Sequence, residues 1–252
     1  MAALERPAVR ARDVVSRFGV NRQGANLTLS RLARKGWLRR LRRGVYAVVP
    51  LSSVSGMPIA EEPLAVAMEL FSPCYISGWT AAQHWALTEQ IYNSIVVCSA
   101  RPQRRSIQQI GGVTYRIRRI TEKAIFGTTK VWSGTVAVQM ATVHRTLIDV
   151  LDAPGLGGGG RQTLDLARAY WRRSDTDPEA LLELATRLGR GSVIKRLGFG
   201  AERFGLPSEA WLDRCRERLS EGVALFDPAG PKRGPIVSRW RLRINVPLDE
   251  GQ

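Results

Sequence analysis

Apolar side chains near the start of the chain recur at helical spacing and then give way to the short runs typical of strands. Val14, Val15 and Phe18 form the apolar face of a predicted short helix. Gly19 ends this helix, because glycine adopts the left-handed conformation of a helix terminus at little cost. The residues before it, 1–11, leave room only for a short preceding helix.

A second helix is predicted after Asn21, whose side chain is a favoured N-cap. Ala25, Leu29 and Leu32 follow at the spacing of one buried stripe, so the polar residues between them face outward. These outward residues, whose side chains can contact base edges and phosphates, are Arg22, Gln23, Asn26, Ser30 and Arg34.

Two strands are predicted next, after Gly36 ends the second helix. They are residues 37–41 and 45–49, joined by Arg42, Arg43 and Gly44. Two helices followed by a basic hairpin are typical of a winged helix-turn-helix. In that module the second helix enters the major groove and the wing lies on the DNA backbone.

The rest of the chain mixes helices and strands without a regular alternation, which predicts an α+β fold: an N-terminal winged helix-turn-helix followed by a larger mixed α/β C-terminal domain. Helices are expected at residues 61–70, 80–87 (capped by Ser77), 143–151 (capped by Thr142), 163–171, 178–188 (capped by Asp177 and followed by Gly189), 192–199 and 208–219. Strands are expected at residues 74–76, 94–98, 112–120, 131–132, 136–138 and 236–246.

Two segments rich in turn-forming residues suggest boundaries. Residues 50–57 separate a predicted DNA-binding domain, 1–50, from an α+β domain, 58–252. The glycine-rich segment 153–160 is expected to be a linker or mobile loop, and a possible subdivision of the second domain.

The last predicted strand has one apolar face and one basic face, the basic one carrying Arg239, Arg241 and Arg243. A solvated sheet face and a second surface for a polyanion or an acidic partner both fit this pattern.

Charge strengthens the DNA-binding interpretation. The chain carries 38 basic and 22 acidic residues, a net charge of +16. The first fifty residues hold twelve of the basic side chains against only Glu5 and Asp13. A basic cluster that coincides with a winged-helix pattern is expected for a protein whose partner is a polyanion.

Other classes of protein are not favoured. No apolar run approaches the roughly 20 residues that span a bilayer, and the N-terminus lacks a signal-peptide core, so we expect no membrane association and a cytoplasmic location. The three cysteines, Cys74, Cys98 and Cys215, are far apart and lack the spacing of a zinc site.

A search for catalytic chemistry identifies no active site, so we expect no enzyme, no metal and no cofactor. His84 and His144 each lack a second ligand at helical spacing. No lysine has an acidic residue two positions before it, as the common metal-dependent nuclease core requires. Asp175 and Asp177 form the one D-x-D, beside Pro178, where capping accounts for Asp177.

Several segments, taken in order, resemble one family. They are RRGVYAVVP at the wing, SGWTAAQHWALT, ATVHRTLIDVLD, LFDP and SRWRLRINV, and they extend over nearly the whole chain. This series is similar to the AbiEi-type antitoxins of bacterial type IV toxin-antitoxin (abortive infection, phage defence) systems. The resemblance implies a repressor of its own operon that binds inverted repeats in promoter DNA. It also implies a functional partner, a nucleotidyltransferase toxin that the larger domain counteracts without a stable complex.

The resemblance also implies which residues contact DNA. On the second helix they are Asn21, Arg22, Gln23, Asn26, Ser30, Arg31 and Arg34, and on the wing Arg39, Arg40, Arg42 and Arg43.

Three alternatives remain at this point. The chain is a generic winged-helix regulator, a DNA-targeted enzyme such as a nuclease with an unrecognised active site, or an RNA-binding regulator. The last lacks exposed aromatic residues interleaved along strands for stacking on bases.

Overall fold

The computed structural model describes residues 8–42, 44–48, 63–134, 136–204 and 207–248. They divide into two compact units. The first holds the described residues of Met1–Tyr75, Asn93–Glu122 and Lys130–Gln139, and the second those of Ile76–Tyr92, Lys123–Thr129 and Met140–Gln252. The predicted boundary at residues 50–57 lies outside the described residues, and the predicted domain division stays a prediction.

The N-terminal segment folds as the predicted winged helix-turn-helix. Its elements are β1 (Ala8–Arg10), α1 (Ala11–Phe18), α2 (Arg22–Arg34), β2 (Leu38–Arg42) and β3 (Val45–Val48). The three strands form an antiparallel sheet of order β1-β3-β2. Residues 8–10 were expected to be helical and instead pair with β3, because the free edge of the hairpin offers hydrogen bonds that local sequence patterns do not report.

The core of this module is small and lies between the two helices and the sheet. Ala11 and Val14 of α1 pack with Ala25 and Leu29 of α2. Phe18 was predicted on the inner face, but its side chain is 72% exposed. It occupies the last turn of α1, directly before the chain turns at Gly19, whose φ is +66°.

The first unit also contains α3 (Pro63–Phe71) and most of a six-stranded sheet. The strands are β4 (Cys74–Ile76), β5 (Ser94–Ser99), β6 (Ile107–Ile110), β7 (Val113–Arg119), β8 (Thr128–Ser133) and β9 (Val136–Ala141), in the order β6-β7-β5-β4-β9-β8. The pairs β5·β7 and β4·β9 are parallel and β6·β7 is antiparallel. This mixed sheet agrees with the predicted α+β class.

The second unit is mainly helical. Its helices are α4 (Gly78–His84), α5 (Val143–Asp152), α6 (Gly160–Trp171), α7 (Pro178–Leu188), α8 (Gly191–Phe204) and α9 (Glu209–Glu217). The core surrounds α5, whose Leu147 and Ile148 are fully buried. Two predicted caps are confirmed: Thr142 Oγ1 accepts a hydrogen bond from the Arg145 backbone N–H at 3.2 Å, and Asp177 Oδ1 accepts one from that of Ala180 at 3.0 Å.

The glycine-rich segment 153–160 is a packed turn and not the expected mobile linker. It contains a 3-10 turn, Pro154–Leu156, and leads directly into α6. The backbone N–H of Gly160 donates to Asp227 Oδ2 at 2.8 Å. A Cβ on Gly160 would lie 2.5 Å from Val246 Cγ1, so the glycine is needed for close packing.

The C-terminal segment was predicted to be one strand, 236–246, and this prediction is wrong. The structure has β10 (Ala224–Leu225), β11 (Ile236–Val237), a 3-10 turn (Ser238–Trp240) and β12 (Leu242–Arg243), in the order β10-β12-β11. Arg241 has a left-handed backbone with φ +48°, which breaks the alternation of faces. Within the described residues, no helix combines the length and the apolar character that crossing a membrane requires.

Candidate nucleic-acid interface

α2 begins at a well-formed cap. The side-chain oxygen of Asn21 accepts a hydrogen bond from the Gly24 backbone N–H at 2.7 Å. This bond satisfies one of the free N–H groups of the first turn and fixes the start of the helix. Asn21, predicted as a DNA-binding residue, therefore has a structural role that the geometry shows directly.

The residues predicted to face outward from α2 lie on its exposed side. Ala25 and Leu29 fix the buried side. The exposed predicted residues are Arg22, Gln23, Asn26, Arg31 and Arg34. Ser30 is half-buried, with its Oγ 3.5 Å from the hydroxyl of Tyr46.

The N-terminal half of α2 shares a groove of about 560 Å³ with α1 and the wing. Arg22 and Asn26 line it from α2, Arg12 and Ser16 from α1, and Gly44 from the turn of the hairpin. The three elements of the module therefore meet at one surface that carries cationic and hydrogen-bonding side chains.

The C-terminal half of α2 lines a separate depression of about 490 Å³. Thr28, Arg31, Arg34 and Lys35 surround it. Together, the groove and the depression place basic side chains near both ends of α2.

The wing residues are not equivalent. Arg40 is exposed and pairs across the hairpin with Tyr46, on the face of the sheet that α2 covers. Arg39 is half-buried on the opposite face, where a Cβ on Gly111 would lie 3.2 Å from its Nη2. The structure thus separates two arginines that the sequence pattern treats alike. The side chain of Arg42 and the whole of Arg43 lie outside the described part of the chain.

The residues at this surface that were missing from the predicted set include Arg12, Ser16, Thr28 and Lys35. Arg12 and Ser16 are four positions apart on α1, opposite its apolar face, and this spacing places them on one side of a helix. The helical pattern could therefore have identified Arg12 and Ser16 as exposed residues. Only the folded structure shows that they line the same groove as Arg22 and Gly44.

Acidic residues near this surface already have basic partners. Asp13 Oδ2 accepts a hydrogen bond from the Arg10 backbone N–H at 2.7 Å, and its other oxygen is 3.7 Å from Arg12 Nε. Glu69 forms an ion pair with the Arg10 guanidinium. The exposed charge on α2 is therefore positive, as binding to a phosphate backbone requires.

Residues 2–49 match the family model described as "Transcriptional regulator, AbiEi antitoxin". This N-terminal segment, residues 2–49, is therefore similar to the AbiEi antitoxins and is called the AbiEi domain below. The match supports the role of a DNA-binding regulator, for which the surface of α2 and the wing has suitable geometry. The AbiEi domain is about a fifth of the chain, and the family model does not cover the remainder.

One comparison extends beyond the AbiEi domain. The crystal structure of the RV2827C protein from Mycobacterium tuberculosis has a TM-score of 0.64 at 17% identity, covering 93% of this chain and 85% of that one. At this identity the likeness shows a shared fold over most of the chain. The comparison with curated proteins gives no match.

Outside the AbiEi domain, the segment ATVHRTLIDVLD carries a buried ion pair. Arg145 Nε is 2.9 Å from Asp149 Oδ1, one turn later on α5, and both side chains are almost wholly buried. Asp149 Oδ2 accepts a hydrogen bond from the Ser77 hydroxyl at 2.6 Å, and Arg145 also donates to the backbone oxygens of Phe126 and Ala124. Ser77, predicted as a helix cap, therefore uses its side chain for Asp149.

Two of the polar residues considered for catalysis, His144 and Asp175, have structural partners. His144 Nδ1 is 2.6 Å from the Tyr170 hydroxyl, and burial lowers the pKa of His144 below its usual range against the opposing effect of nearby carboxylates. Arg173 hydrogen-bonds both oxygens of Asp175 and lowers the pKa of that carboxyl. Burial raises the pKa of Cys74 and of Cys215 to about 12 each, so both thiols stay protonated at neutral pH.

Within the ranges that the structure describes, no group of three or more His, Cys, Asp or Glu residues could hold a metal ion. The predicted basic face of the last strand is dispersed. Arg239 Nε is 2.8 Å from Glu202 Oε2, Arg241 donates to the Ser220 backbone oxygen at 3.3 Å, and Arg243 to that of Gly234 at 2.9 Å. The AbiEi domain is therefore the part of the chain with the clearest candidate site.

Proposed function

We propose that this protein is the antitoxin of a type IV toxin-antitoxin system and represses its own operon by binding inverted repeats in promoter DNA. The observation that carries the proposal is the surface of α2, where Arg22 and Asn26 share a groove with the turn of the wing, on a segment that matches the AbiEi family. Because the proposed target is chromosomal DNA, a cytoplasmic location is part of the same proposal.

The dimensions and chemistry of α2 suit the major groove. Thirteen residues make a helix about 20 Å long, and B-DNA offers a groove about 12 Å wide. Arginine donates two hydrogen bonds to guanine, whereas asparagine and glutamine suit adenine. We therefore assign Arg22, Gln23 and Asn26 to base contacts, and Arg31 and Arg34 to contacts with bases or phosphates further along the groove.

The second part of the proposal concerns a nucleotidyltransferase toxin, which the region after the AbiEi domain counteracts without forming a stable complex. Two observations support it. The family description names an antitoxin. The ordered segments SGWTAAQHWALT and ATVHRTLIDVLD extend the resemblance beyond residue 49.

DNase footprinting on the promoter upstream of the chain's own gene tests the DNA-binding part. Wild-type protein should protect two inverted half-sites and repress a reporter. The double variant Arg22→Ala/Asn26→Ala should lose on the order of 1 to 3 kcal/mol of specific binding per lost base contact. Arg190→Ala, which removes an exposed arginine outside the AbiEi domain, is the matched control and should bind as wild type does.

Two outcomes would contradict this part of the proposal. Unchanged protection by the double variant would remove α2 from the interface. No protection by wild-type protein at any salt concentration would refute repression of its own operon.

A generic winged-helix regulator is the second candidate, because the family match ends at residue 49. The two candidates differ in one measurable property. Only an antitoxin restores growth when the neighbouring gene is induced and that gene encodes a toxic nucleotidyltransferase. DNA binding without such rescue would favour the generic regulator, and Mg²⁺-dependent cleavage of plasmid DNA would instead indicate an enzyme.

A further inference from the structure

The outward face of α2 carries a large apolar side chain among its polar ones. Leu27 is 48% exposed, although the helix has a complete apolar stripe without it. Two positions separate Leu27 from Ala25 and from Leu29, which turns it by about 200° and places it opposite the core. The folding of the module therefore gives no reason for an apolar residue at this position.

The neighbours of Leu27 on the helix surface are the predicted DNA-contacting residues. Gln23 lies one turn before it, and Ser30 and Arg31 lie one turn after it. Arg34 follows two turns after it on the same face. Single exposed leucines are common on protein surfaces, but this one occupies the centre of the face that the proposed function directs into the major groove.

The surroundings of Leu27 indicate what covers it. The cationic side chains of Arg31 and Arg34 favour a polyanion as the partner. To cover Leu27, this polyanion must also present an apolar group in the groove that the helix enters. In the major groove of B-DNA that group is the C5-methyl of thymine. A leucine of a second copy of this chain would instead bring the same arginines close to their own equivalents, which like charges oppose.

We propose that Leu27 is a specificity-determining residue that packs against a thymine methyl group, so that the operator carries a preferred thymine opposite the middle of α2. This inference rests on the proposed binding of DNA through α2. The preference depends on the methyl group, so 5-methylcytosine at the same place satisfies Leu27 as well.

The test replaces thymine by deoxyuridine, which has the same base-pairing edge but no methyl group. The probes are duplexes that wild-type full-length protein selects from a random-sequence pool, so the test does not depend on the native operator. Each thymine is changed in turn. At one or two positions per half-site, we expect wild-type binding to weaken about fourfold, the equivalent of one buried methylene-sized group.

The variant Leu27→Ala should bind thymine and deoxyuridine probes equally at those positions, and Leu27→Met should keep the discrimination. Alanine is a strong helix former and Leu27 is exposed, so α2 should be retained in both variants. The salt dependence of binding should be unchanged in Leu27→Ala, because no phosphate contact is removed. Val223→Ala, which removes an exposed apolar side chain outside the AbiEi domain, is the matched control and should keep the discrimination.

The outcomes separate this inference from the function on which it rests. If wild-type protein selects no duplex, both fail. If wild-type protein selects a duplex, but replacing thymine by deoxyuridine changes the binding of Leu27→Ala and of wild type equally at every position, the inference alone fails. A change of oligomeric state in Leu27→Ala, measured by sedimentation without DNA, would assign Leu27 to a contact between copies and would also overturn it.

Discussion

Arg145 and Asp149 hold opposite charges in a place that water does not reach. The Arg145 guanidinium forms an ion pair with the Asp149 carboxylate and donates hydrogen bonds to two backbone oxygens. Its central carbon lies 4.2 Å from the centre of the Phe126 ring. A buried charge is tolerated only when its partners replace the lost hydration. This arrangement explains in physical terms why the segment RTLID is a structural centre of the second unit.

Removing the carboxylate should therefore destabilise the fold. In Asp149→Ala the Arg145 charge stays buried without its counter-ion, and the hydroxyl of Ser77 loses its acceptor. We expect the free energy of unfolding to fall by roughly 3 to 5 kcal/mol. Urea denaturation followed by circular dichroism measures this loss.

An exposed ion pair provides the control for this prediction. Arg214 pairs with Glu179, and both side chains are largely accessible to solvent. Glu179→Ala should change the stability much less than Asp149→Ala does, because exposed pairs contribute little. Equal losses in Asp149→Ala and Glu179→Ala would show that the buried pair has no special role.

The wing and α2 differ in what they can recognise. Arg40 extends from a strand of the hairpin and is exposed, whereas Arg39 lies on the opposite face of β2, beside Gly111. Because the wing is expected to lie on the DNA backbone, we expect Arg40 to contact phosphate. The two elements should therefore contribute differently to affinity and to specificity.

Arg40→Ala should weaken binding to all duplexes alike and should reduce the salt slope of log K by about 1, since one phosphate contact is lost. Titrations of selected and random duplexes at several salt concentrations measure both effects. Arg39→Ala is the matched comparison and should change the slope less. A slope that Arg40→Ala leaves unchanged would exclude a phosphate contact from this residue.

Elements whose ends are set by local chemistry could be predicted from the sequence. α7 has its cap at Asp177, proline in its first turn and Gly189 just past its end, and the predicted bounds are those of the structure. The start of α2 after its cap at Asn21 was also predicted correctly, whereas the helix ends at Arg34, before the predicted Gly36. The predicted contact residues on α2 lie on its exposed side for this reason, except for the half-buried Ser30.

Elements that depend on distant partners could not be predicted. The strand Ala8–Arg10 exists because β3 offers a free edge, and β6, with the sequence IQQI, lacks the alternation that identifies a strand. In the C-terminal segment, apolar residues alternate as in a strand, yet Trp240 is buried so close to α8 that a Cβ on Gly198 would lie 2.1 Å from its ring. That packing, and the left-handed Arg241, override the local pattern.

The two compact units are assembled from interleaved parts of the chain. The first takes Asn93–Glu122 and Lys130–Gln139 in addition to the N-terminal segment, and the second takes Ile76–Tyr92 and Lys123–Thr129. Turn-rich composition indicates where a chain bends, but it carries no information on which bends return to the same core. For this reason the interleaving of the two units could not be predicted from the sequence.

The proposed function has two parts, repression and neutralisation of the toxin, and different residues are assigned to each. The full-length variant Arg22→Ala/Asn26→Ala changes only exposed side chains of α2, so its stability should be within about 0.5 kcal/mol per substitution of wild type. Under the proposed function, it should fail to repress the promoter but should still restore growth when the gene of the proposed toxin is induced. Asp149→Ala should lose both activities, because a destabilised chain is removed in the cell.

Reporter expression and growth measured in the same strains, with protein abundance checked by immunoblot, distinguish the possibilities. If the α2 variant no longer represses but still neutralises the toxin, the DNA-binding surface is dispensable for neutralisation. If that variant fails in both assays at wild-type abundance, neutralisation depends on the DNA-binding surface itself. Neutralisation would then require the binding of DNA by this protein. The proposed assignment of neutralisation to the region after the AbiEi domain would be wrong.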